Sequence, residues 1–185
     1  MKFFNILFII FITSTSTIKA NSNENLINLL KEGNKIVFIR HAYAPGGGDP
    51  ENFIINDCKT QRNLNDQGKK QAQKIGNFFT NNKIPIEIVL SSEWCRCKET
   101  ASIAFKNFQT KNFLNSFYSK KFADNKYSQM INLIDYVKKF KGKKNLIFVT
   151  HYVVINEVLS YAPSSGEIVI SDKEFKKIGS IKIDY

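Results

Sequence analysis

The stretch that decides the fold is Lys35-Ile36-Val37-Phe38-Ile39-Arg40-His41, an apolar run that ends in two basic side chains. Such a continuous run predicts a strand buried on both faces, which is typical of a parallel sheet covered by helices. Two later runs follow the same plan. Ile86–Leu90 leads into Ser91-Ser92, and Leu146–Val149 leads into Thr150-His151.

Helical patterns occupy the segments around these strands. They cover Glu24 to Lys31, Asn65 to Asn82, Glu93 to Phe105, Ser128 to Phe140 and a run that ends at Ser160. Glu167 to Ile170 and Ile178 to Ile183 are predicted to be a closing pair of strands. Strands that alternate with helices indicate an α/β fold, a three-layer sandwich with a mostly parallel central sheet and helices on both faces. Residues 21–185 contain no repeat or linker and are expected to form a single domain.

Residues 1–20 are predicted to be a secretory signal peptide. Lys2 supplies one positive charge, Phe3 to Ile12 is apolar, and the small residue Ala20 closes the segment. The apolar run is shorter than the roughly 20 residues that a membrane-spanning helix needs, and no cysteine follows it to carry a lipid. We therefore expect a secreted or periplasmic protein without a stable membrane anchor after cleavage.

The basic residues are distributed unevenly between types. Of 27 lysines and arginines only Arg40, Arg62 and Arg96 are arginine, and the two histidines are His41 and His151. So few histidines, with three cysteines, exclude a histidine-rich metal site and a four-thiolate zinc cluster, and we expect no metal and no cofactor. The net charge is +11, or +9 without residues 1–20. The scarcity of arginine nevertheless argues against nucleic acid as a partner.

Three cysteines, Cys58, Cys95 and Cys97, would mature in an oxidising compartment after export, where disulfides form. Cys95 and Cys97 lie two residues apart in a predicted helix and point to different sides. One of them is therefore expected to bridge Cys58 and to leave the other as a free thiol. Three buried, reduced cysteines are the alternative that the sequence leaves open.

Both histidines and two of the three arginines follow predicted strands, at the edge where open α/β sheets bind ligands. Arg40 and His41 follow the first strand, Arg96 lies just beyond the second, and His151 follows the third. Arginine binds two phosphate oxygens at once through its planar guanidinium, whereas lysine is a point charge. A chain that uses lysine almost everywhere else is predicted to keep its arginines for an anion site.

Four motifs occur in order between residue 35 and about residue 160. They are Arg40-His41-Ala42, Leu64…Gly68…Gln71-Ala72, Ser91-Ser92…Arg96…Thr100-Ala101 and Val149-Thr150-His151. Together they resemble the histidine phosphatase superfamily, also called phosphoglycerate mutase-like. Two further stretches, Thr60-Gln61-Arg62-Asn63 and Trp94-Cys95-Arg96-Cys97, are similar to an exported branch of that family.

The resemblance implies a phosphatase in which His41 is the nucleophile and forms a covalent phosphohistidine. It also implies that Arg40, Arg96 and His151 bind the phosphoryl group and stabilise its charge. Arg62 matches no universal position of the family, so it is either an additional anion contact or a structural salt bridge.

The loop after the nucleophile differs from the family's usual pattern. It contains Gly46 and Gly47, which either bring backbone amides close to an anion or form a flexible exposed loop.

The usual general acid of the family is missing. Many members have a carboxylate after a Leu-Asn-like stretch, and here Ser116 occupies that position after Leu114-Asn115. Asp49, Glu51 and Glu93 are the candidate replacements. Alternatively, the substrate has a good leaving group that needs little protonation, as in a phosphohistidine, an acyl phosphate or a pyrophosphate.

The expected partner is a phosphorylated small molecule, an envelope sugar or a phosphoprotein. An alternative is a non-catalytic exported protein of the same fold that binds phosphate or another anion, which would need Arg40 and Arg96 but not His41. The presence of both histidines favours catalysis. A nucleic-acid or envelope-surface binder is less consistent with the sequence, because the densest basic cluster, Lys138 to Lys144, has one aromatic residue and no arginine.

Overall fold

A computed structural model describes residues 15–185, with side chains from residue 23 onward. The helices of this part of the chain are α1 Thr15–Glu32, α2 Asp66–Asn81, α3 Cys95–Phe105, α4 Lys126–Lys139 and α5 Tyr152–Leu159. The strands are β1 Ile36–Arg40, β2 Ile86–Ser91, β3 Gln109–Thr110, β4 Asn145–Thr150, β5 Ile168–Ser171 and β6 Lys177–Ile181. Most of the predicted signal peptide, residues 1–14, lies outside the described residues.

The six strands form one sheet in the order β3-β2-β4-β1-β5-β6. β3, β2, β4 and β1 pair in parallel, and β5 and β6 extend the sheet in antiparallel fashion. Because β1, β2 and β4 run in the same direction, their carboxyl ends meet at one edge. Arg40 at the end of β1 is directly opposite Thr150 at the end of β4. The predicted α/β fold with a mostly parallel sheet is confirmed.

The two faces of the sheet carry separate apolar clusters, because successive residues of a strand point to opposite faces. Val37 of β1 belongs to the cluster that contains Ile75, on the side covered by α1, α2 and α3. Phe38 belongs to the other cluster, which contains Leu133, on the side covered by α4 and α5. β1 is therefore buried on both faces, as its continuous apolar run predicts.

The start of α2 is fastened to the segment that follows His41. The Asn65 side chain accepts the backbone N–H of Gly68 and caps the helix. A Cβ atom at Gly68 would lie 1.9 Å from the carbonyl oxygen of Tyr43, so this close approach requires glycine. Gln71 accepts the Tyr43 N–H at 2.8 Å. The motif around Gly68 thus positions the backbone next to His41.

Two parts of the chain differ from the patterns in the sequence. α1 begins at Thr15 rather than at Glu24, and the poorly patterned middle of the chain contains the short edge strand β3. Gln109 and Thr110 are both exposed. Their pairing with β2 uses only backbone groups, so no apolar pattern reveals it. Within residues 15–185 no helix is long and apolar enough to cross a membrane.

Candidate active site

A cleft of about 660 Å³ opens at the carboxyl ends of β1 and β4. It is lined by all five histidine and arginine side chains of the chain, His41, Arg40, Arg62, Arg96 and His151. The glycine loop at Gly46–Gly48 lines it as well, and Gly46 has a φ of +89°. The residues that the sequence predicted to meet at the sheet edge therefore surround one cavity.

His41 is buried, and its hydrogen bonds define its tautomer. Its Nδ1 lies 2.8 Å from the carbonyl oxygen of Ala42, which can only accept, so Nδ1 carries the proton. The lone pair of Nε2 accepts the Nε–H of Arg96 at 3.2 Å. Burial, and after it the charge of Arg96, hold the pKa of His41 well below its ordinary value. The ring is thus a neutral imidazole, and the lone pair of its Nε2 lies beside a guanidinium.

Arg96 lies between the two histidines and uses three nitrogens at once. Nε donates to His41, Nη1 is 2.7 Å from Oδ1 of Asp49, and Nη2 lies 3.4 Å from Nδ1 of His151. Only 4% of its side chain is exposed. A lysine at this position could satisfy one of these three contacts at a time.

Both carboxylate oxygens of Asp49 accept hydrogen bonds. Oδ1 accepts from Arg96 and from the backbone N–H of Arg62 at 3.1 Å, and Oδ2 accepts from Nε1 of buried Trp94 at 3.0 Å. The side chain is 9% exposed. Asp49 therefore sits in the site as the counter-ion of Arg96.

A chain of hydrogen bonds behind His151 defines the tautomer of that ring. Ser92 Oγ donates its single proton to Oδ1 of Asn115 at 3.0 Å, so it accepts the Nε2–H of His151 at 2.9 Å. Asn115 is oriented by Glu93, which donates a backbone N–H to Oδ1 and accepts Nδ2 on its carboxylate. Nδ1 of His151 is thus left with a lone pair that faces Arg96. Burial and then the charge of Arg96 lower the pKa of His151 well below its ordinary value.

The candidate general acids are in different environments. Glu93 directs its carboxylate to Asn115 and does not line the cleft, and Asp49 is held by Arg96 and Trp94. Glu51 lines the cleft with an exposed side chain. Ser116, which the sequence resemblance places where many family members have a carboxylate, also lines the cleft and is 8% exposed.

Arg40 and Arg62 line the cleft with part of their hydrogen-bonding capacity unused. Arg40 donates Nη1 to the carbonyl oxygen of Pro163 at 2.8 Å, and its guanidinium lies over the ring of Tyr152 at 5.3 Å. Arg62 donates Nη1 to the carbonyl oxygen of Ala44. The Nε atom of each is buried without a partner among the described residues. Burial is the largest cause that lowers the pKa of both.

A disulfide joins Cys58 to Cys95, which confirms the expectation that one cysteine of the pair bridges Cys58. It ties the long loop after His41 to the start of α3, next to Arg96. Cys97 is the free thiol and lies 3.5 Å from Nε2 of His151. Burial raises the pKa of the Cys97 thiol to about 12, so it stays protonated at neutral pH.

Metal ligands are not grouped in this site. The described side chains contain no cluster of three or more histidine, cysteine, aspartate or glutamate residues that could hold a metal ion.

Residues 36–116 match the family model of the histidine phosphatase superfamily (branch 1). Over these residues the chain is similar to the histidine phosphatase superfamily. The match begins at β1 and ends at Ser116, so it includes Arg40-His41 and the motif around Arg96. A search of curated proteins found no match for the sequence.

Solved structures share the histidine phosphatase fold at low sequence identity. TTHB049 from Thermus thermophilus superposes with a TM-score of 0.56 at 12% identity, covering 80% of this chain and 98% of that one. The putative phosphohistidine phosphatase SixA from Agrobacterium tumefaciens gives 0.55 at 15% identity, covering 81% and 99%. A protein histidine phosphatase SixA complexed with tungstate gives 0.52 at 14% identity, covering 80% and 96%.

We expect the two buried histidines to make the protein sensitive to mild acid. A histidine in the unfolded chain has a pKa of about 6.5, whereas His41 and His151 have lowered pKa values in the native state. Well above pH 6.5 both rings are unprotonated in the native and in the unfolded state. Below it the unfolded chain binds up to two more protons, so the free energy of unfolding should fall by up to about 2.7 kcal/mol per pH unit.

Urea denaturation at pH 7.5, 6.5 and 5.5 measures this dependence. The matched control is the His41→Asn/His151→Asn variant, which keeps every carboxylate and should lose most of the slope between pH 6.5 and 5.5. An identical slope in the variant would show that other groups cause the acid sensitivity.

Proposed function

We propose that the protein is a secreted or periplasmic phosphatase that hydrolyses a phosphorylated substrate through a covalent phosphohistidine on His41. The observation that carries this proposal is the position of His41 Nε2. This atom has a free lone pair and lies 3.2 Å from Nε of Arg96, in a cleft also lined by Arg40 and Arg62. A neutral imidazole is a competent nucleophile, and fixed guanidinium groups stabilise the charge of a transferring phosphoryl group.

The reaction has two balanced steps. Nε2 of His41 attacks phosphorus, and the bond to the leaving-group oxygen breaks as the P–N bond forms. Arg40, Arg62 and Arg96 share the negative charge of the phosphoryl oxygens. Water then attacks the phosphohistidine, the P–N bond breaks, and inorganic phosphate leaves with the oxygen of the water while His41 regains its lone pair.

His151 shares one proton with the bound phosphoryl group, and that proton arrives with the substrate or from solvent. Its Nε2–H is committed to Ser92, and its Nδ1 has no proton in the free site. Nδ1 therefore either accepts a hydrogen bond from a protonated phosphoryl oxygen or takes up a proton and donates one. In both cases the bound state holds one proton between Nδ1 and the phosphoryl group.

The leaving group must either take up a proton or depart as an anion. Asp49 acts in our proposal as the counter-ion that positions Arg96, since both its oxygens are occupied. Glu51 remains as a carboxylate at the cleft. A substrate with a good leaving group needs neither carboxylate. One structurally similar protein is named a putative phosphohistidine phosphatase, and another is named a protein histidine phosphatase.

Export is supported by one structural feature. The disulfide between Cys58 and Cys95 is the kind of bond that forms and persists in secreted and periplasmic proteins. Phosphorylated small molecules, envelope sugars and phosphoproteins of that compartment are the proposed substrates.

A series of aryl phosphates tests both the activity and the leaving-group proposal. We expect release of inorganic phosphate from every member, with kcat/KM falling steeply as the pKa of the leaving phenol rises, because no protein group protonates the leaving oxygen. Glu51→Gln and Glu93→Gln should leave that steep dependence unchanged. Asp49→Asn should lower kcat/KM for all members alike, through Arg96.

Two results would contradict these expectations. A shallow dependence in the wild type that becomes steep in one of the three carboxylate variants would identify that residue as a general acid. Absence of any hydrolysis, with inorganic phosphate still bound in calorimetry, would favour the non-catalytic anion-binding alternative.

A further inference from the structure

A buried carboxylate, Glu167, lies in the loop that joins α5 to β5, and the proposed reaction does not use it. Its side chain is 1% exposed. Oε1 accepts the hydroxyl proton of Tyr161, and Oε2 accepts the backbone N–H of Ser164 at 2.8 Å. Burial by itself would raise the pKa of Glu167, but hydrogen bonds, first of all the one from Tyr161, hold it below its ordinary value. Because a buried charge is costly unless it is bonded, this carboxylate calls for an explanation.

The same loop holds Arg40 at the wall of the cleft. The backbone N–H of Arg40 donates to the carbonyl oxygen of Glu167 at 3.3 Å, and the Arg40 carbonyl oxygen accepts the N–H of Gly166 at 3.1 Å. The guanidinium donates Nη1 to the carbonyl oxygen of Pro163 at 2.8 Å. Both the backbone and the side chain of Arg40 therefore depend on residues 163–167.

One peptide group connects the Glu167 carboxylate with the Arg40 guanidinium. The carbonyl of Pro163 and the N–H of Ser164 belong to the same planar unit. Oε2 of Glu167 fixes the N–H end of this plane, so the carbonyl end is directed at Nη1 of Arg40. Hydrogen bonds in series also polarise one another, which makes the carbonyl a stronger acceptor. The carboxylate thus orients the guanidinium without contacting it.

This indirect arrangement differs from that of Arg96. Among the described side chains, Arg96 forms a salt bridge with Asp49, whereas Arg40 forms none. A carboxylate bound directly to Arg40 would occupy the nitrogens that bind phosphoryl oxygens. A single carbonyl holds Arg40 instead, and its buried Nε has no partner among the described residues. The arrangement fixes the guanidinium and leaves donors for a ligand.

We propose that Glu167 is the positioning residue of Arg40, because its carboxylate fixes the peptide group that holds the guanidinium at the cleft. Tyr161 completes the unit by occupying the second carboxylate oxygen. This inference deepens the proposed function and rests on it, since that function assigns Arg40 to the phosphoryl group. Arginine stays protonated whatever its neighbours. The reach of the Glu167 side chain, rather than its charge, therefore determines the effect.

Two conservative variants separate reach from charge. Glu167→Asp keeps the charge but withdraws the carboxylate from the Ser164 N–H by one carbon–carbon bond, about 1.5 Å. Glu167→Gln keeps the reach. Its oxygen can accept from Ser164, and its amide can donate to Tyr161, whose hydroxyl can turn to Oγ of Ser180 at 3.3 Å.

We expect Glu167→Asp to lower kcat/KM for 4-nitrophenyl phosphate about tenfold and the affinity for inorganic phosphate about fivefold, because Arg40 is displaced. Glu167→Gln should stay within about threefold of the wild type in both quantities. Steady-state kinetics and calorimetry measure them, and thermal denaturation checks that each variant is folded. The control is Glu157→Asp, which shortens an exposed carboxylate of α5 that pairs with Lys126 and should change neither quantity by more than about twofold.

The Arg40→Ala background shows whether Glu167 acts through Arg40. There, Glu167→Asp should change phosphate affinity by less than about twofold, because the guanidinium that it positions is gone. A merely structural role of Glu167 would give the same loss in both backgrounds, and that result would overturn the proposal. The reversed order of the two variants, with Glu167→Gln impaired and Glu167→Asp near wild type, would overturn it as well.

Failure of this inference can be distinguished from failure of the proposed function. If the wild type binds inorganic phosphate but does not hydrolyse 4-nitrophenyl phosphate, the proposed function fails, and the phosphate affinities of the variants decide the role of Glu167 alone. A wild type that neither binds nor hydrolyses would overturn both. Wild-type affinity and turnover in Glu167→Asp would overturn only the role of Glu167.

Discussion

His41→Ala is expected to lower kcat for aryl phosphates by about 10⁴-fold or more, because it removes the proposed nucleophile. The arginines around the cleft stay in place, so the affinity for inorganic phosphate should change by less than about tenfold. Steady-state kinetics and calorimetry on the same preparation measure the two quantities. His41→Asn is the matched control, because it fills more of the buried space and should be equally inactive.

This separation of turnover from binding distinguishes the two functions that fit the fold. A catalytic protein loses kcat and keeps phosphate affinity when His41 is removed. A non-catalytic anion-binding protein shows no turnover in the wild type and nearly unchanged affinity in the variant. Retention of more than about a tenth of wild-type kcat in both variants would refute the role of His41.

Arg96→Lys is expected to lower kcat/KM by about 10²- to 10³-fold although it preserves the charge. The guanidinium contacts His41, Asp49 and His151 through three different nitrogens. A lysine can replace one of these contacts at a time, so the lone pair of His41 loses its orienting donor. Kinetics on 4-nitrophenyl phosphate measure the loss, and thermal denaturation checks that the variant is folded.

Asp49→Asn supplies the matched comparison for Arg96. If Asp49 acts by holding Arg96, Asp49→Asn alone should lower kcat/KM by about tenfold. The double variant Asp49→Asn/Arg96→Lys should then have a kcat/KM little below that of Arg96→Lys alone. Additive losses would instead indicate that Asp49 acts independently. Near-wild-type kinetics of Arg96→Lys would contradict the role of the guanidinium geometry.

Much of the fold could be predicted from the sequence because the central strands are buried on both faces. β1 and β4 appear as continuous apolar runs, and Asn65 marks the start of α2. β3 could not be predicted, since Gln109 and Thr110 contribute only backbone pairing. The helices and strands that can be predicted from the sequence are those that bury side chains, because burial produces an apolar pattern.

The meeting of the histidines and arginines was also predictable, because strand ends in a parallel sheet share one edge. The hydrogen-bond and disulfide partners in the site could not be predicted. Asp49 lies far from Arg96 in the sequence, and its place depends on the path of a long loop. The choice of Cys95 over Cys97 as partner of Cys58 depends on the orientation of α3. Long-range side-chain contacts leave no periodic signal in a single sequence.

The hydrogen-bond chain behind His151 could not be predicted from the sequence either. Ser92 was visible as the polar end of a strand, and Asn115 stands beside Ser116, the position of the missing carboxylate. Nothing in the spacing shows that Ser92, Asn115 and Glu93 bond in series. Only the folded geometry assigns the tautomer of His151.

The location of the phosphoryl group in the trapped enzyme tests the mechanism most directly. The wild-type protein is mixed with a fast aryl phosphate, quenched in alkali within one turnover, digested without acid and examined by mass spectrometry. We expect one phosphate on His41, absent from His41→Ala. A phosphate on His151, Cys97, Ser116 or any residue other than His41 would contradict the proposed mechanism.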